Sequence, residues 1–281
     1  MKNVVITADS TVDLSPELIE RYDIRIIPLT IEIGDESYKD GQDFTPSDMY
    51  ARYHADGTLP KTAAPNVRDF THFFHAILEE GSEIVHLDIS SDLSNTYNAA
   101  CLAAQELEGV WVVDSRELST GIGLLAIEGA ECRDRGMSAQ EIADHLAALT
   151  GKVSASFVIE NLEFIWKGGR CSSVTALGAN IMKIRPALEM RDGTLTIYKK
   201  FRGKMENVYR QYIEERLKDK KIRTGHVFLT ESGEIPEAVV EYLTAYIKEL
   251  THAEEVHHTT AGCTVSSHCG PRTLGVLFIE E

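Results

Sequence analysis

Short apolar runs alternate with amphipathic segments along the first half of the chain. Short apolar runs bounded by polar residues are typical of buried strands, and apolar residues spaced by three or four are typical of helices. Strands and helices that alternate in this way predict a parallel sheet. The predicted elements are a strand at 3–8, a helix at 16–22 capped by Ser15, extended runs at 24–27 and 29–38, helix starts at Thr45 and Asn66, a strand at 83–89, a helix at 94–106, a strand at 110–114, a helix at 119–135 and a helix that opens at Ser138. Gly34-Asp35 predicts a hairpin, so an insertion near residues 29–60 interrupts the alternation.

The second half of the chain has a different order of elements. They are a strand at 153–159, a helix near 172–183, a hairpin at 187–197 that turns on Asp192-Gly193, helices at 204–218 and 236–250, and strands at 225–230 and 275–279. This order predicts an α+β arrangement. We therefore predict a two-domain α/β protein, with a parallel-sheet, Rossmann-like α/β domain at 1–150 and an α+β domain at 151–281.

Composition and charge exclude several classes of protein. The chain has 281 residues, enough to bury a core without disulfide or metal support. It carries 44 acidic and 28 basic side chains and a formal net charge of -16, which repels phosphate backbones, so we expect no nucleic-acid partner. No run reaches the roughly 18 apolar residues of a membrane span, and the N-terminus lacks the apolar region of a signal peptide. Five scattered cysteines without a CxxC pair favour a reducing compartment, so we expect a cytoplasmic protein.

Several familiar catalytic motifs do not account for this sequence. It contains neither GxSxG nor the GxxxxGK[ST] phosphate loop. Residues 121–126 match the dinucleotide spacing GxGxxA, but they fall inside a predicted helix, where small residues indicate close packing instead. Five residues of metal-ligand type near the C-terminus match no standard zinc spacing, so we expect no metal there. These residues are His257, His258, Cys263, His268 and Cys269.

Four segments rich in hydroxyls and small residues remain, at 62–66, 89–97, 168–172 and 268–275. We place them in loops that follow strands or precede helices. Hydroxyls and free N–H groups at helix N-termini bind anions, and ligands of open α/β sheets sit beyond the carboxyl ends of the strands. The alternative is that Ser94 and Asn66 are simple helix caps. All four segments together favour a binding site for an anionic group.

These segments belong to a set of motifs through which the chain resembles the DegV family, the fatty-acid-binding subunits (FakB) of bacterial fatty acid kinase. The similarity spans nearly the whole chain, and the order and spacing of the motifs are specific. The motifs are ITADSTVDL at 6–14, ISSDLSNTY at 89–97, VVDSREL at 112–118, IENLEFIWKGGR at 159–170, KIRPALEMRDGTL at 183–195 and HCGPRTLG at 268–275.

The resemblance implies a carrier that holds one long-chain fatty acid in an apolar tunnel at the domain interface. A separate ATP-dependent kinase subunit would phosphorylate the carboxylate to an acyl phosphate for phospholipid synthesis, so the chain itself would be no enzyme and need no cofactor. Matching motifs assign the carboxylate contacts to Thr62, Ser94 and His268. The residues implied near the head group or the kinase-facing surface are Asn95, Arg170, Arg202 and Gly270.

The sequence departs from the family pattern at four places in these motifs. Ala63-Ala64 replaces the more usual Ser-Gln, which removes one implied carboxylate donor. Asn95 and Arg272 stand where glycine is usual, and Cys269 stands where threonine is usual. These departures concern the contacts with the carboxylate head group. The affinity is expected to come from the hydrocarbon chain of the fatty acid, since burying about fifteen methylenes at ~0.8 kcal/mol each contributes roughly 12 kcal/mol of gross binding free energy.

Two hydrolase alternatives stay open, together with one surface feature. A serine hydrolase would use Ser94 and His268, and a metal-dependent hydrolase would use the Cys263/His268/Cys269 cluster. The first requires an orienting acid and an activated nucleophile, for which the sequence shows no signature. Residues 199–204 (KKFRGK) are locally basic. Such a stretch suits contact with a membrane or with the acidic face of a partner, and it is equally typical of a solvated turn.

Overall fold

The computed structural model describes residues 3–172 and 184–281. Its first layer is a four-stranded parallel sheet with the strand order β2-β1-β6-β7. These strands are β1 (Val4–Asp9), β2 (Ile24–Ile27), β6 (Glu83–Asp88) and β7 (Val110–Asp114). The helices of this part are α1 (Pro16–Tyr22), α3 (Val67–Leu78), α4 (Thr96–Ala104), α5 (Thr120–Asp134) and α6 (Ala139–Leu149). The predicted parallel sheet is confirmed.

Residues 30–63 add a small antiparallel sheet beside the first layer. Strands β3 (Thr30–Ile33) and β4 (Glu36–Lys39) form the predicted hairpin at Gly34-Asp35, and β5 (Lys61–Ala63) pairs with the other edge of β3. Helix α2 (Pro46–Asp56) lies between β4 and β5 in the chain. The side chains of Ser15, Thr45, Asn66 and Ser138 cap the helices that follow them, as predicted.

The second layer is a six-stranded mixed sheet with the order β10-β9-β8-β13-β11-β12. Its neighbours pair antiparallel except β11 and β12, which are parallel and connected through α9. The strands are β8 (Val153–Val158), β9 (Arg185–Arg191), β10 (Thr194–Phe201), β11 (Ile222–Glu231), β12 (Glu255–Thr260) and β13 (Leu274–Glu280). The helices are α7 (Leu162–Gly168), α8 (Met205–Leu217), α9 (Glu237–Thr251) and α10 (Cys263–Cys269).

Helix α5 joins the two layers, because it contacts β1 and β6 of the parallel sheet and β8, β11 and β13 of the mixed sheet. Its glycines allow this approach. A Cβ added at Gly123 would lie 2.7 Å from Leu14 Cδ2, and one added at Gly121 would lie 3.4 Å from Ala155 Cβ. The GxGxxA spacing therefore reflects close packing, as predicted from the sequence. The largest apolar cluster runs through both layers and includes Ile6 and Leu277.

Several boundaries differ from the sequence-based expectation. Helix α4 begins at Thr96 instead of 94. Four elements, β5, α7, β12 and α10, were not predicted from the sequence, and α10 replaces part of an expected loop. The helix expected near 172–183 lies outside the described residues. Strands of the parallel sheet precede residue 150 and those of the mixed sheet follow it, while division into domains at this residue stays a prediction. No helix within the two described ranges is long and apolar enough to cross a bilayer.

Candidate functional site

A cavity of about 510 Å³ is lined by residues of both layers at the carboxyl end of the parallel sheet. Its volume falls within the range of roughly 300–1,000 Å³ that is usual for small-molecule pockets. Apolar side chains from both halves of the chain form much of its wall, among them Ile89, Leu118, Phe157, Leu195, Val265 and Leu277. Such a wall suits an apolar ligand.

Aspartates at the ends of two parallel strands fix the loop that follows β6. Asp9 Oδ2 accepts a hydrogen bond from the backbone N–H of Ile89 at 2.9 Å. Asp114 Oδ2 accepts from the Ser91 hydroxyl at 2.6 Å. Burial and, to a smaller extent, the nearby charge of Asp88 together raise the pKa of Asp9 to about 7. The loop at 89–95 is therefore tied to the strands beneath it, which positions Ser94 at the cavity.

Ser94 lies on the cavity wall just before helix α4. Its hydroxyl is 2.7 Å from Thr96 Oγ1 and accepts from the backbone N–H of Thr96 at 3.3 Å. The N-cap itself is Asn95, whose side chain makes no capping bond and is exposed. Asn66 is thus confirmed as a helix cap. Ser94 is not the N-cap residue but lies one position before it on the cavity wall, where its hydroxyl accepts from the first N–H of α4.

The structure brings Thr62 and His268 together although 206 residues separate them. Thr62 is held on β5 by pairing with Ile31 of β3, and His268 lies in the last turn of α10. Thr62 Oγ1 is 3.2 Å from His268 Nε2. Both side chains line the cavity, so this pair places a hydroxyl and an imidazole side by side at its wall.

Two buried carboxylates from the first half of the chain hold helix α10 in place. Asp40 Oδ1 accepts from the backbone N–H of Cys263 at 2.8 Å, and Asp13 Oδ1 accepts from the backbone N–H of Gly262 at 2.8 Å. Acceptors at this end satisfy N–H groups that have no partner within the helix. Burial raises the pKa of Asp13 and of Asp40. The position of His268 at the other end of α10 depends on these contacts.

The ring of His268 packs directly on the end of α7. A Cβ added at Gly168 would lie 2.4 Å from His268 Nδ1, so only glycine leaves room for the ring. Nδ1 is buried and has no hydrogen-bond partner among the described residues. Burial and, to a smaller extent, the positive charge of Arg170 together lower the pKa of His268 to about 4. The ring is therefore neutral near pH 7.

Of the other residues implied by the resemblance, Asn95 and Arg170 line the cavity. Both are exposed, and Arg170 donates to the carbonyl of Gly168 at 2.7 Å. Arg202 is exposed after β10 and is not part of the cavity wall. Gly270 is buried and does not line the cavity. It contributes to the site through its backbone conformation and not through a ligand contact.

We predict that Gly270→Ala lowers the free energy of unfolding by about 2 kcal/mol or more. Gly270 has φ 76° and ψ 171°, a conformation almost restricted to glycine. An added Cβ would also lie 2.7 Å from Cδ2 of the fully buried Phe164. Urea denaturation measures the effect. The control Gly151→Ala has open space and should stay within about 0.5 kcal/mol of the parent. Equal stability of the two variants would contradict this assignment.

The departures from the family pattern have local explanations in part. Arg272 has φ 59°, a left-handed conformation that fits the glycine usual at this position. Its guanidinium pairs with Glu160 at 3.1 Å. Ala64 and Cys269 line the cavity. Burial raises the pKa of the Cys269 thiol to about 12, so this side chain is a neutral, weakly polar part of the wall.

Neither hydrolase alternative is supported. Ser94 bonds Thr96 instead of a histidine, and His268 bonds Thr62. Two groups of metal-ligand type converge within the described residues, and neither contains Cys263, His268 or Cys269. The cluster suggested by the sequence near the C-terminus is therefore not assembled.

The two layers, the helix between them and the ligand-sized cavity define an α/β protein of the ligand-binding class. The model of the DegV family, whose description reads "uncharacterised protein, DegV family", matches residues 3–281. The chain belongs to the DegV family. A DegV domain-containing protein of Clostridium perfringens is 32% identical over 285 residues, which cover 100% of both chains.

Solved structures agree with this fold over the full chain. A fatty-acid-binding DegV family protein from Thermus thermophilus has a TM-score of 0.88 and 26% identity, covering 99% of this chain and 100% of that one. A lipid-binding DegV protein from Thermotoga maritima has a TM-score of 0.87 and 30% identity, covering 100% of this chain and 99% of that one. The expected fold class and the resemblance to the DegV family are confirmed.

Proposed function

We propose that this protein binds one long-chain fatty acid, with the hydrocarbon in the 510 Å³ cavity and the carboxylate at Thr62, Ser94 and His268. The observation that carries the proposal is the convergence of these three side chains on the wall of one largely apolar cavity. The fatty-acid and lipid binding of the structural relatives supports it.

The hydrogen-bond network indicates how the carboxylate is held. A neutral imidazole carries one N–H, and Nε2 is the ring nitrogen of His268 that faces Thr62. We assign the hydrogen to Nε2, from which it donates to Thr62 Oγ1. The Thr62 hydroxyl hydrogen is then free to donate to the ligand. The Ser94 hydroxyl adds a second donor, and the guanidinium of Arg170 adds positive charge at the cavity wall.

The hydrocarbon chain and the carboxylate of the fatty acid contribute different amounts of binding free energy. Burying a hydrocarbon chain contributes ~0.8 kcal/mol per methylene, whereas a hydrogen bond to a charged group contributes about 1.5–3 kcal/mol. The apolar wall therefore sets affinity. The three polar side chains set the orientation of the fatty acid, which decides whether its carboxylate can react.

The proposal extends to a separate, ATP-dependent kinase subunit in the cytoplasm. That subunit transfers the γ-phosphoryl group of ATP to the bound carboxylate, giving an acyl phosphate for phospholipid synthesis and ADP. This chain acts as the carrier that presents the substrate and needs no cofactor. The exposed Trp166, on the helix that precedes Arg170 and 60% accessible, supports a partner-binding face. Arg202 and the basic residues beside it are the proposed contacts with that partner or, transiently, with a membrane.

Native mass spectrometry of the purified protein tests the ligand directly. We expect a mass increment equal to one fatty acid, which organic extraction then identifies. Delipidated protein should take up added hexadecanoate at a stoichiometry of one. A bare protein that also rejects added fatty acids of several chain lengths would overturn the proposal. Formation of acyl phosphate in the presence of the kinase subunit and ATP then tests separately whether the protein presents the carboxylate for phosphorylation.

A further inference from the structure

Two histidines and a glutamate converge where β11 and β12 run side by side, away from the fatty-acid cavity. The parallel register pairs His226 with Glu255 and Phe228 with His257. Because alternate residues of a strand share a face, His226, Glu255 and His257 lie on the same face of the sheet. Nδ1 of His226 is 2.9 Å from Nε2 of His257, and Oε2 of Glu255 is 3.7 Å from the same Nε2.

A carboxylate on helix α5 sets the tautomer of His226. Oε1 of Glu131 lies 3.3 Å from Nε2 of His226. A carboxylate accepts hydrogen bonds only, so Nε2 carries the hydrogen, and Nδ1 presents a lone pair towards His257 and Glu255. A ligating histidine whose other ring nitrogen donates to a carboxylate is the usual arrangement at protein metal sites.

We propose that Nδ1 of His226, Nε2 of His257 and a carboxylate oxygen of Glu255 bind a divalent transition-metal ion of the zinc type. Their ligand atoms lie within 4.8 Å of one another. Two imidazoles and one carboxylate form a ligand set that zinc takes in proteins, with Zn–N distances of about 2.0–2.1 Å. At those distances the two nitrogens need to separate by only a few tenths of an ångström.

The surroundings favour a cation and leave room for a fourth ligand. His226 and Glu255 line a second cavity of about 560 Å³, whose wall holds five glutamates against two arginines. This net negative charge attracts cations. One of the two arginines, Arg21, holds Glu255 through both carboxylate oxygens at 2.7 and 2.8 Å, which fixes the carboxylate and leaves further lone pairs on each oxygen. A water molecule in the cavity would complete the coordination.

The neighbouring group of Glu128, Cys132 and His145 is a weaker candidate. Glu128 already accepts from Arg223 at 2.9 Å and from His145 at 2.9 Å. Arg135 also donates to Cys132 Sγ at 3.0 Å. Guanidinium groups therefore occupy the carboxylate and the sulfur, and their charge opposes a metal ion. At the proposed site, by contrast, a guanidinium group pairs with only one of the three ligands, Glu255.

Titration of chelator-treated, full-length protein with Zn²⁺, in competition with a chromophoric chelator, tests the site. We expect one Zn²⁺ per chain, a raised Tm on binding and, with Co²⁺ as the probe, the visible absorption of a four- or five-coordinate ion. His257→Ala and Glu255→Gln should each weaken Zn²⁺ binding at least roughly 100-fold. Glu131→Gln, which alters only the positioning residue, should weaken it roughly 10- to 100-fold and leave the Co²⁺ spectrum similar in shape.

The matched control is His258→Ala, which removes the next histidine of β12. The His258 side chain is 43% exposed and pairs with Glu231 instead of the proposed ligands, so Zn²⁺ affinity should stay unchanged. Glu255→Gln preserves the shape of a half-buried side chain, so it keeps the test valid if His257→Ala fails to fold. Absence of stoichiometric Zn²⁺ binding, or equal affinities in the parent and the Glu255→Gln variant, would overturn the proposal. Fatty-acid binding is not involved in either result.

Discussion

The Val265→Trp variant is expected to purify without fatty acid and to bind added hexadecanoate about 1,000-fold more weakly than the parent. Val265 lines the cavity from helix α10 and is only partly buried, so a larger side chain can enter the open space. It lies three residues before His268, which places both on the same face of the helix. An indole at this position would fill the cavity beside the head-group site.

The expected size follows from the hydrocarbon that the indole displaces. If it excludes about five methylenes at ~0.8 kcal/mol each, binding weakens by about 4 kcal/mol, which is roughly a factor of 1,000 in Kd. Isothermal titration of delipidated protein measures the change. No head-group substitution should lower affinity as much, because each polar contact contributes less.

Two controls separate a filled cavity from a damaged fold. Leu250→Trp adds an indole at a position that is 42% exposed and should leave affinity unchanged. Val265→Ile enlarges the side chain by one methylene and should reduce affinity only slightly. An unaltered cooperative thermal transition would show that the Val265→Trp protein is folded. If that folded variant binds hexadecanoate within threefold of the parent, the hydrocarbon lies elsewhere.

Local sequence signals predicted the elements that carry their own caps and apolar faces. Thr45 and Asn66 each form a capping box with the acidic residue three positions later, and such signals need no tertiary context. The four missed elements are short or polar. Helix α10 has seven residues, too few for stability alone, and the carboxylates of Asp13 and Asp40 at its N-terminus hold it. No local pattern in residues 263–269 shows those contacts.

The same limit applies to the site. The family resemblance named Thr62, Ser94 and His268, and the structure brings the first and last within 3.2 Å. Their roles in binding remain proposals. The room that Gly168 leaves for His268 is a contact between α7 and α10, and a glycine at a helix end is otherwise an ordinary stop signal. The histidine–glutamate group on β11 and β12 was missed because register across two strands, and not spacing along one, assembles it.

Substitution of the head-group residues is expected to separate binding from presentation, a prediction that depends on the proposed function. His268→Ala, Thr62→Val and Ser94→Ala should each lower affinity for hexadecanoate by roughly 10- to 100-fold, because one hydrogen bond to a charged group contributes about 1.5–3 kcal/mol. Each should slow kinase-dependent acyl phosphate formation by roughly 100-fold, since small misplacements of a reacting group have effects of that size. Titration calorimetry and radiolabelled ATP measure the two quantities.

Gly168→Ala provides the sharper form of this test, because it keeps all three polar side chains. Its Cβ would lie 2.4 Å from His268 Nδ1, so the ring must shift and the contact with Thr62 must change. Gly168 does not have a positive φ, hence alanine is compatible with its backbone. We expect nearly parental affinity and a phosphorylation rate close to that of His268→Ala, while Gly151→Ala should match the parent in both. A parental phosphorylation rate in Gly168→Ala and His268→Ala would show that this histidine does not orient the carboxylate, even if the cavity holds the chain.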